Sequence, residues 1–220
     1  MPYDSFRSYG IPVRTGLLLA ALLALSSSQL FAQQRLWMLR AGPTVTTFES
    51  DLEYEPRVGL AASFGVRQYL SVFFVQPELQ LSIRSSSRVF DEPYPTDPLN
   101  PTDRVSRRRT DVTYVDLPVL LGIGLGGPVA PFIFGGPYGG MQFGATHSLT
   151  SISTGLATTR NAENINWFDY GFIAGLGGQA VILRQHIVFE ARGLYGMAPV
   201  LDDGVNQYHR AAMLLVGIVF

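Results

Sequence analysis

Residues 114–140 read YVDLPVLLGIGLGGPVAPFIFGGPYGG, from Tyr114 to Gly140, a long apolar run broken repeatedly by Gly and Pro. Three structures compete for it: a membrane helix, a phosphate-cradling loop, or a pair of strands. The run is not the uninterrupted apolar helix of ~20 residues that a bilayer demands. A phosphate-binding glycine run has to open a helix, whereas Gly124, Gly126 and Gly127 lead into Pro128, Pro131 and an aromatic segment. The same objection meets GLGGQ at Gly175–Gln179. Strands fit. From Asp111, DVTYVDLPVLLGIG puts Val115, Leu117, Val119 and Leu121 on one face and Tyr114, Asp116 and Pro118 on the other. LGGPVAP is then a turn, and PFIFGGPYGGMQFGA returns as a second strand, completing a hairpin. Repeated Gly inside a strand permits bending and close packing at a barrel wall.

The alternation is cleaner upstream. In VFFVQPELQLSIR, from Val72 to Arg84, Val75, Pro77, Leu79, Leu81 and Ile83 share one face. Gln76, Glu78, Gln80, Ser82 and Arg84 share the other. Strict period two over that length marks a strand between two unlike environments, and the length suits a tilted membrane crossing. Extended along the chain, the reading yields eight strands near 36–45, 56–67, 72–84, 111–123, 131–145, 166–182, 186–198 and 208–220. Short connections (68–71, 124–130, 183–185) alternate with longer polar ones (46–55, 85–110, 146–165, 199–207). Short turns on one side and long loops on the other are the pattern of outer-membrane barrels, with the short turns periplasmic. The predicted fold is all-β, an eight-stranded antiparallel up-and-down transmembrane β-barrel.

Both ends of the chain agree. Arg7 and Arg14 precede GLLLAALLAL (Gly16–Leu25) and then SSSQLFAQQ, the layout of a secretory signal peptide cleaved after Ala32. The apolar core is too short to span a bilayer. The domain expectation is therefore 1–32 as a cleaved signal peptide and 33–220 as the barrel. At the other end RAAMLLVGIVF puts Ala212, Leu214, Val216, Ile218 and Phe220 on one face and stops on an aromatic. Leu214, Val216, Ile218 and Phe220 resemble the insertion signal read by the barrel-assembly machinery.

Composition narrows the chemistry. The chain is 47% hydrophobic, which without a spanning helix leaves the closed barrel as the bilayer-compatible form. It holds no Cys, so neither a lipid-anchoring cysteine nor a disulfide framework nor a thiolate metal site is available. The formal net charge of −1 gives no reason to expect nucleic-acid binding.

YVDLPVLLGIG followed by APFIFGGPYGGMQFGA resembles the paired central strands of the PorT-like outer-membrane β-barrel family; DYGFIAGLGGQA and FEARGLYGMAPV are similar to its later strands. Asp116-Leu117-Pro118 and Gly136-Pro137 carry the likeness best, and the long 85–110 loop and Leu194 depart from it. The resemblance implies an eight-stranded barrel, and its namesake's role implies assistance to protein export across the outer membrane.

Three candidate sites follow. Arg40, Arg57, Glu78, Arg84, Asp116, Asp169, Glu190 and Arg192 fall on inward faces and are expected to pair across the lumen, because a barrel of eight strands is just wide enough for side chains to fill. The 85–110 loop, read as stiff and solvated, ends in Arg107, Arg108 and Arg109, whose forks suit the phosphates of outer-leaflet lipid. His147 and Ser148 are adjacent, so on a strand they point to opposite faces and make a poor base–nucleophile pair. His186 and His209 fall near strand ends, where solvated or interfacial positions are expected. No catalytic residue, cofactor or metal is predicted. The functional expectation is a non-enzymatic barrel that assists export or envelope assembly or presents loops to a partner. A rim-active lipid-modifying enzyme and a small-solute pore are the alternatives. Expected partners are outer-membrane lipid, the barrel-assembly machinery during insertion, and other envelope or secretion proteins.

Overall fold

The computed structural model describes residues 35–49, 54–97, 100–125, 129–151, 157–162, 166–200 and 207–220; side chains of 90–106 and 129 are not described. The predicted leader and its cleavage site lie outside the described residues. Among those residues the strands are β1 (Arg35–Glu49), β2 (Glu55–Leu70), β3 (Phe73–Asp97), β4 (Asn100–Gly124), β5 (Val129–Ser151), β6 (Ala157–Asn161), β7 (Phe168–Ile182), β8 (Gln185–Pro199) and β9 (Tyr208–Val219). All pairings are antiparallel. Eight strands close into a barrel through β1–β2–β3–β4–β5–β7–β8–β9 and back to β1. β6 pairs with β5 outside that ring.

Following registered partners once round the wall passes Arg35, Gln68, Val75, Leu121, Gly135, Ala174, Gly193 and Ala212. The path returns to β1 at Val45, ten residues beyond its start. That stagger tilts the strands and fixes the width, leaving an interior that side chains can fill. The chain end seals the wall: Trp37 and Phe220 exchange two backbone hydrogen bonds of 2.9 Å.

Alternation decides what each face meets. Leu39, Val45, Val58, Leu60, Leu79, Leu81, Leu117, Val119, Leu121, Leu214, Val216 and Ile218 are exposed on the outer wall as an aliphatic belt. Exposed aromatics flank it: Trp37, Phe64, Phe73, Phe189 and Phe220 near the short-turn end, and Trp167, Phe168, Tyr170 and Tyr195 near the other. Two girdles around an apolar band are the mark of a membrane barrel.

Inside, large residues face small ones. A Cβ at Gly122 would overlap the ring of Phe74, and one at Gly177 the ring of Phe132. The GLGG stretch thus leaves room for aromatic rings borne by β5. Two connections at the short-turn end are two-residue turns. One is Ser71–Val72, with Ser71 at φ 66°; the other is Leu183–Arg184, with φ 52° and 66°.

The long polar segments depart from expectation. Residues 85–110 are not a solvated loop: β3 and β4 stay paired from Ser85↔Asp111 to Asp97↔Asn100. From Ile83 to Asp97 β3 runs on for roughly 45 Å at ~3.3 Å per residue. Segment 146–165 likewise holds the end of β5 and all of β6. These strands form a small sheet beyond the belt.

Candidate functional site

The lumen holds two buried charge clusters. In the cluster nearer the short turns, Arg40 Nη1 donates to Glu190 Oε1 at 2.7 Å, and Arg40 Nη2 lies 2.8 Å from Glu78 Oε1. Arg192 Nη1 donates to Glu78 Oε2 at 2.7 Å, Nη2 to Glu78 Oε1 at 2.9 Å, and Nε to Glu190 Oε2 at 2.9 Å. Arg67 Nη2 donates to Glu190 Oε1 at 3.2 Å and Nε to Gln76 Oε1 at 2.5 Å. Three guanidiniums thus face two carboxylates, a net charge of +1.

The second cluster reverses the sign. Arg84 Nη2 donates to Asp116 Oδ2 at 2.5 Å and Nη1 to Asp169 Oδ2, while Tyr138 Oη donates to Asp169 Oδ2 at 2.8 Å. One guanidinium faces two carboxylates, a net charge of −1. Gln80 joins the clusters: its Oε1 accepts from Arg192 Nη1 at 3.2 Å and its Nε2 donates to Asp116 Oδ2 at 3.4 Å. Four arginines and four carboxylates therefore cancel, which is the condition for carrying charge in so dry a place. Asp116 Oδ1 occupies the space a Cβ at Gly140 would take.

Aromatic layers close both ends. Below, the Arg67 guanidinium lies 4.4 Å from the Phe74 ring centroid and 3.9 Å from that of Phe132, with Tyr69 edge-on to Phe74. Above, His209 is edge-on to Phe48 and Tyr114, its Nε2 lies 3.1 Å from Tyr114 Oη, and Tyr54 packs on Phe48.

Of the residues expected in the lumen, Arg40, Glu78, Arg84, Asp116, Asp169, Glu190 and Arg192 are buried and joined in these clusters. Arg57 is a correction. It lies at the far end of β2, part-exposed, donating to Ser87 Oγ at 3.0 Å and to Glu55 Oε2 at 3.4 Å. It keeps the inward parity, registered with buried Thr46, but stands beyond the lumen clusters at the rim, past the slip in β2–β3 register between Pro56 and Ala61. Arg67 was missed. Its parity with Ser63 and Gly65 was a usable signal, but it stood at the margin of the expected strand. His209 is a second correction: it is buried in the lumen, on the inward row of Met213 and Leu215.

Above the belt the arginine triplet splits by alternation. Arg107 and Arg109 are half-exposed on one face; Arg107 lies 3.7 Å from Glu55, and Arg109 Nε donates to Asp111 at 2.9 Å. Arg108 is on the opposite face, its Nη2 donating to His147 Nε2 at 2.7 Å. An arginine can only donate, so Nε2 accepts, the proton sits on Nδ1, and Nδ1 donates to Thr110 Oγ1 at 2.9 Å. Burial first and then Arg108 hold the imidazole pKa down to about 4. Ser148 projects from the other face, 3.0 Å from Thr159 Oγ1, so it does not meet His147. His186 Nδ1 lies 3.2 Å from Gln179 Nε2 beside a short turn. Among the described residues, no group of three His, Asp or Glu gathers that could hold a metal ion.

A closed antiparallel barrel with an aliphatic belt, two aromatic girdles and a polar, charge-balanced interior defines a transmembrane β-barrel of the outer-membrane type. The outer membrane protein beta-barrel domain family matches residues 31–202, and the chain belongs to that family. Its place is accordingly the outer membrane, in contact with membrane lipid. Similar solved structures include Ail, the attachment invasion locus protein of Yersinia pestis, in complex with the heparin analogue sucrose octasulfate. It is 17% identical, with 85% of this chain and 99% of that chain covered and a TM-score of 0.42. Neisserial surface protein A is 12% identical over 84% of this chain and 97% of its own, with a TM-score of 0.43. The N-terminal β-barrel domain of Pseudomonas aeruginosa OprF is 13% identical over 86% and 99%, with a TM-score of 0.35. No curated protein sequence matches.

Proposed function

We propose that the protein is a non-enzymatic, plugged outer-membrane barrel of the PorT-like type that displays its extracellular strands to an envelope or secretion partner. Its leader is cleaved after Ala32, and the barrel-assembly machinery reads the Leu214, Val216, Ile218 and Phe220 row during insertion. The observation that carries the reading is the contrast between lumen and rim. The lumen is filled, neutral and capped by aromatics at both ends. The rim lifts a sheet with exposed arginines beyond the belt. A filled lumen disfavours solute flux, and recognition concentrates on segments held out by a rigid wall. The exposure of Arg107 and Arg109 on the outer face supports contact with phosphate-bearing outer-leaflet lipid, whereas Arg108 is engaged by His147.

The test is purification from the native outer membrane in mild detergent, with mass determination of what travels with the barrel. A stable assembly supports the partner reading. A lone barrel that modifies lipid would replace it with the enzyme reading, and steady large conductance steps in a planar bilayer would replace it with the pore.

A further inference from the structure

We infer that the outer edge of β6 is a docking strand for an extended partner segment bearing acidic side chains. The inference deepens the partner reading above and rests on it.

β6 is bonded along one side only. Thr146↔Asn161, His147↔Arg160, Ser148↔Thr159, Leu149↔Thr158 and Thr150↔Ala157 tie it to β5. Among the described residues no strand pairs with its other side, because β7, next in the chain, joins β5 lower down, between Val129 and Met141. The backbone N–H and C=O groups on that side form an open ladder, and an open ladder is a template for another strand.

Proteins usually blunt such edges with proline, several charges or a bulge. ATTRN has no proline and one charge, its pairing with β5 is unbroken, and all five side chains are exposed. Two adjacent β-branched residues, Thr158 and Thr159, suit it to accept a neighbour. The edge lies past the aliphatic belt, level with Arg107 and Arg109 at the polar rim rather than among lipid tails.

Charge selects the occupant. Arg160 is the sole charged residue of β6 and lies directly across from His147. His147 accepts from Arg108 and is therefore neutral, leaving this face, among the described residues, with the positive charges of Arg88, Arg108 and Arg160. The reverse face carries Arg107 and Arg109, with Glu55 and Asp111 as their carboxylates. A strand added to β6 places one residue opposite Arg160, where a carboxylate is favoured and a cation disfavoured. An anionic glycan could meet the arginines, but it offers no regular N–H and C=O ladder; the open backbone edge favours a peptide.

The experiment uses the mature protein in lipid nanodiscs and three nine-residue probes: alternating Glu and Thr, alternating Lys and Thr, and the acidic probe N-methylated on the amides of one edge. Amide exchange at residues 157–161 and peptide titration by NMR are the readouts. The acidic probe is expected to slow alternate β6 amides. The basic and N-methylated probes are expected to bind at least about fivefold more weakly. Arg160→Glu should invert the preference between acidic and basic probes while heat-modifiable mobility on gels shows the barrel intact. Equal binding of the N-methylated probe would reduce the effect to bulk charge and overturn the inference. So would the absence of β6 protection, or a concentration-dependent dimer pairing through β6 without any probe. If partners co-purify with the barrel but Arg160→Glu and the probes do nothing, this inference falls while the partner reading stands.

Discussion

Two buried arginines of the lumen, Arg84 and Arg192, match in type and depth but differ in charge accounting, and they should not cost the same to remove. Arg84 is the single cation of its cluster, and Arg84→Met leaves Asp116 and Asp169 facing each other with none. It also strips the donor from Ser82 Oγ and the cation over the Tyr114 ring, 4.5 Å from its centroid. Breaking a buried pair this way costs ~3–5 kcal/mol, because the uncompensated charge stays behind. Arg192 belongs to a cluster with one cation to spare. Arg192→Met leaves Arg40 and Arg67 against Glu78 and Glu190, an even count. What is lost there is hydrogen bonding, on the order of 1–3 kcal/mol.

Urea titration of the mature protein refolded into lipid vesicles would read both. Trp37 and Trp167, exposed on the outer wall, report lipid contact by fluorescence. Arg84→Met should lose about twice as much stability as Arg192→Met. Replacing the whole second cluster, with Arg84→Met, Asp116→Asn and Asp169→Asn together, should recover more than half of the Arg84→Met loss, since no carboxylate is then left without a cation and only the first cluster's surplus of one guanidinium goes uncompensated. Equal losses from the two single variants, or no recovery in the triple variant, would show that shape rather than charge balance sets the stability of the lumen.

The pKa of His147, held near 4 by burial and then by Arg108, lies below the ~6.5 of an unfolded chain. Its contact with Arg108 therefore stabilises the projecting sheet fully above pH 6.5 and is lost as pH falls toward 4; an NMR titration midpoint at or above 6.5 would contradict this. Leu183 and Arg184 occupy a two-residue turn at positive φ without glycine. Leu183→Asn with Arg184→Gly should raise stability by about 1–2 kcal/mol in the same urea assay, and a loss would count against the turn geometry. Gly177→Val would collide with the Phe132 ring and should cost ~1–3 kcal/mol, read as earlier loss of heat-modifiable gel mobility. Unchanged mobility would mean the ring can swing aside.

The wall was legible because its signal is binary. Val75 through Ile83 and Gln76 through Arg84 sort by alternation alone, and the other wall strands alternate in the same way, although their inner rows mix polar and aromatic residues with aliphatic ones such as Ile173, Met213 and Leu215. The projecting sheet was not legible, for a physical reason. Pro93 and Pro95 read as loop residues, yet both fall in β3 where its register with β4 shifts, between Val89 and Tyr94 and between Pro95 and Asp97. There β3 has lost β2 as a neighbour, since their last registered pair is Glu55↔Ser87. Proline is tolerated at bulges and on an edge strand, where no ladder bond is demanded of its nitrogen. Arg57 and Arg67 exposed the other limit. Both carry inward parity, but parity is silent about depth: Arg67 is registered with Leu36 near the short turns and Arg57 with Thr46 at the far end of the wall.

The same distinction bears on what the barrel can do. Its interior charges are matched four against four, and Gln80 ties the surplus cation of one cluster to the surplus anion of the other. Such a network is self-contained: adding an ion would unbalance it, and opening a path would strand at least one buried charge. The rim is arranged differently. Arg108 spends one donor on a neutral histidine rather than on a carboxylate, and Arg160 stands on an edge strand with its ladder open. Charge is matched guanidinium for carboxylate in the dry lumen, whereas the rim, which meets water, mixes paired arginines such as Arg107 and Arg109 with Arg108, which is bonded to a neutral histidine. On the partner reading proposed above, substitutions on the outer sheet should alter binding while leaving insertion and stability intact.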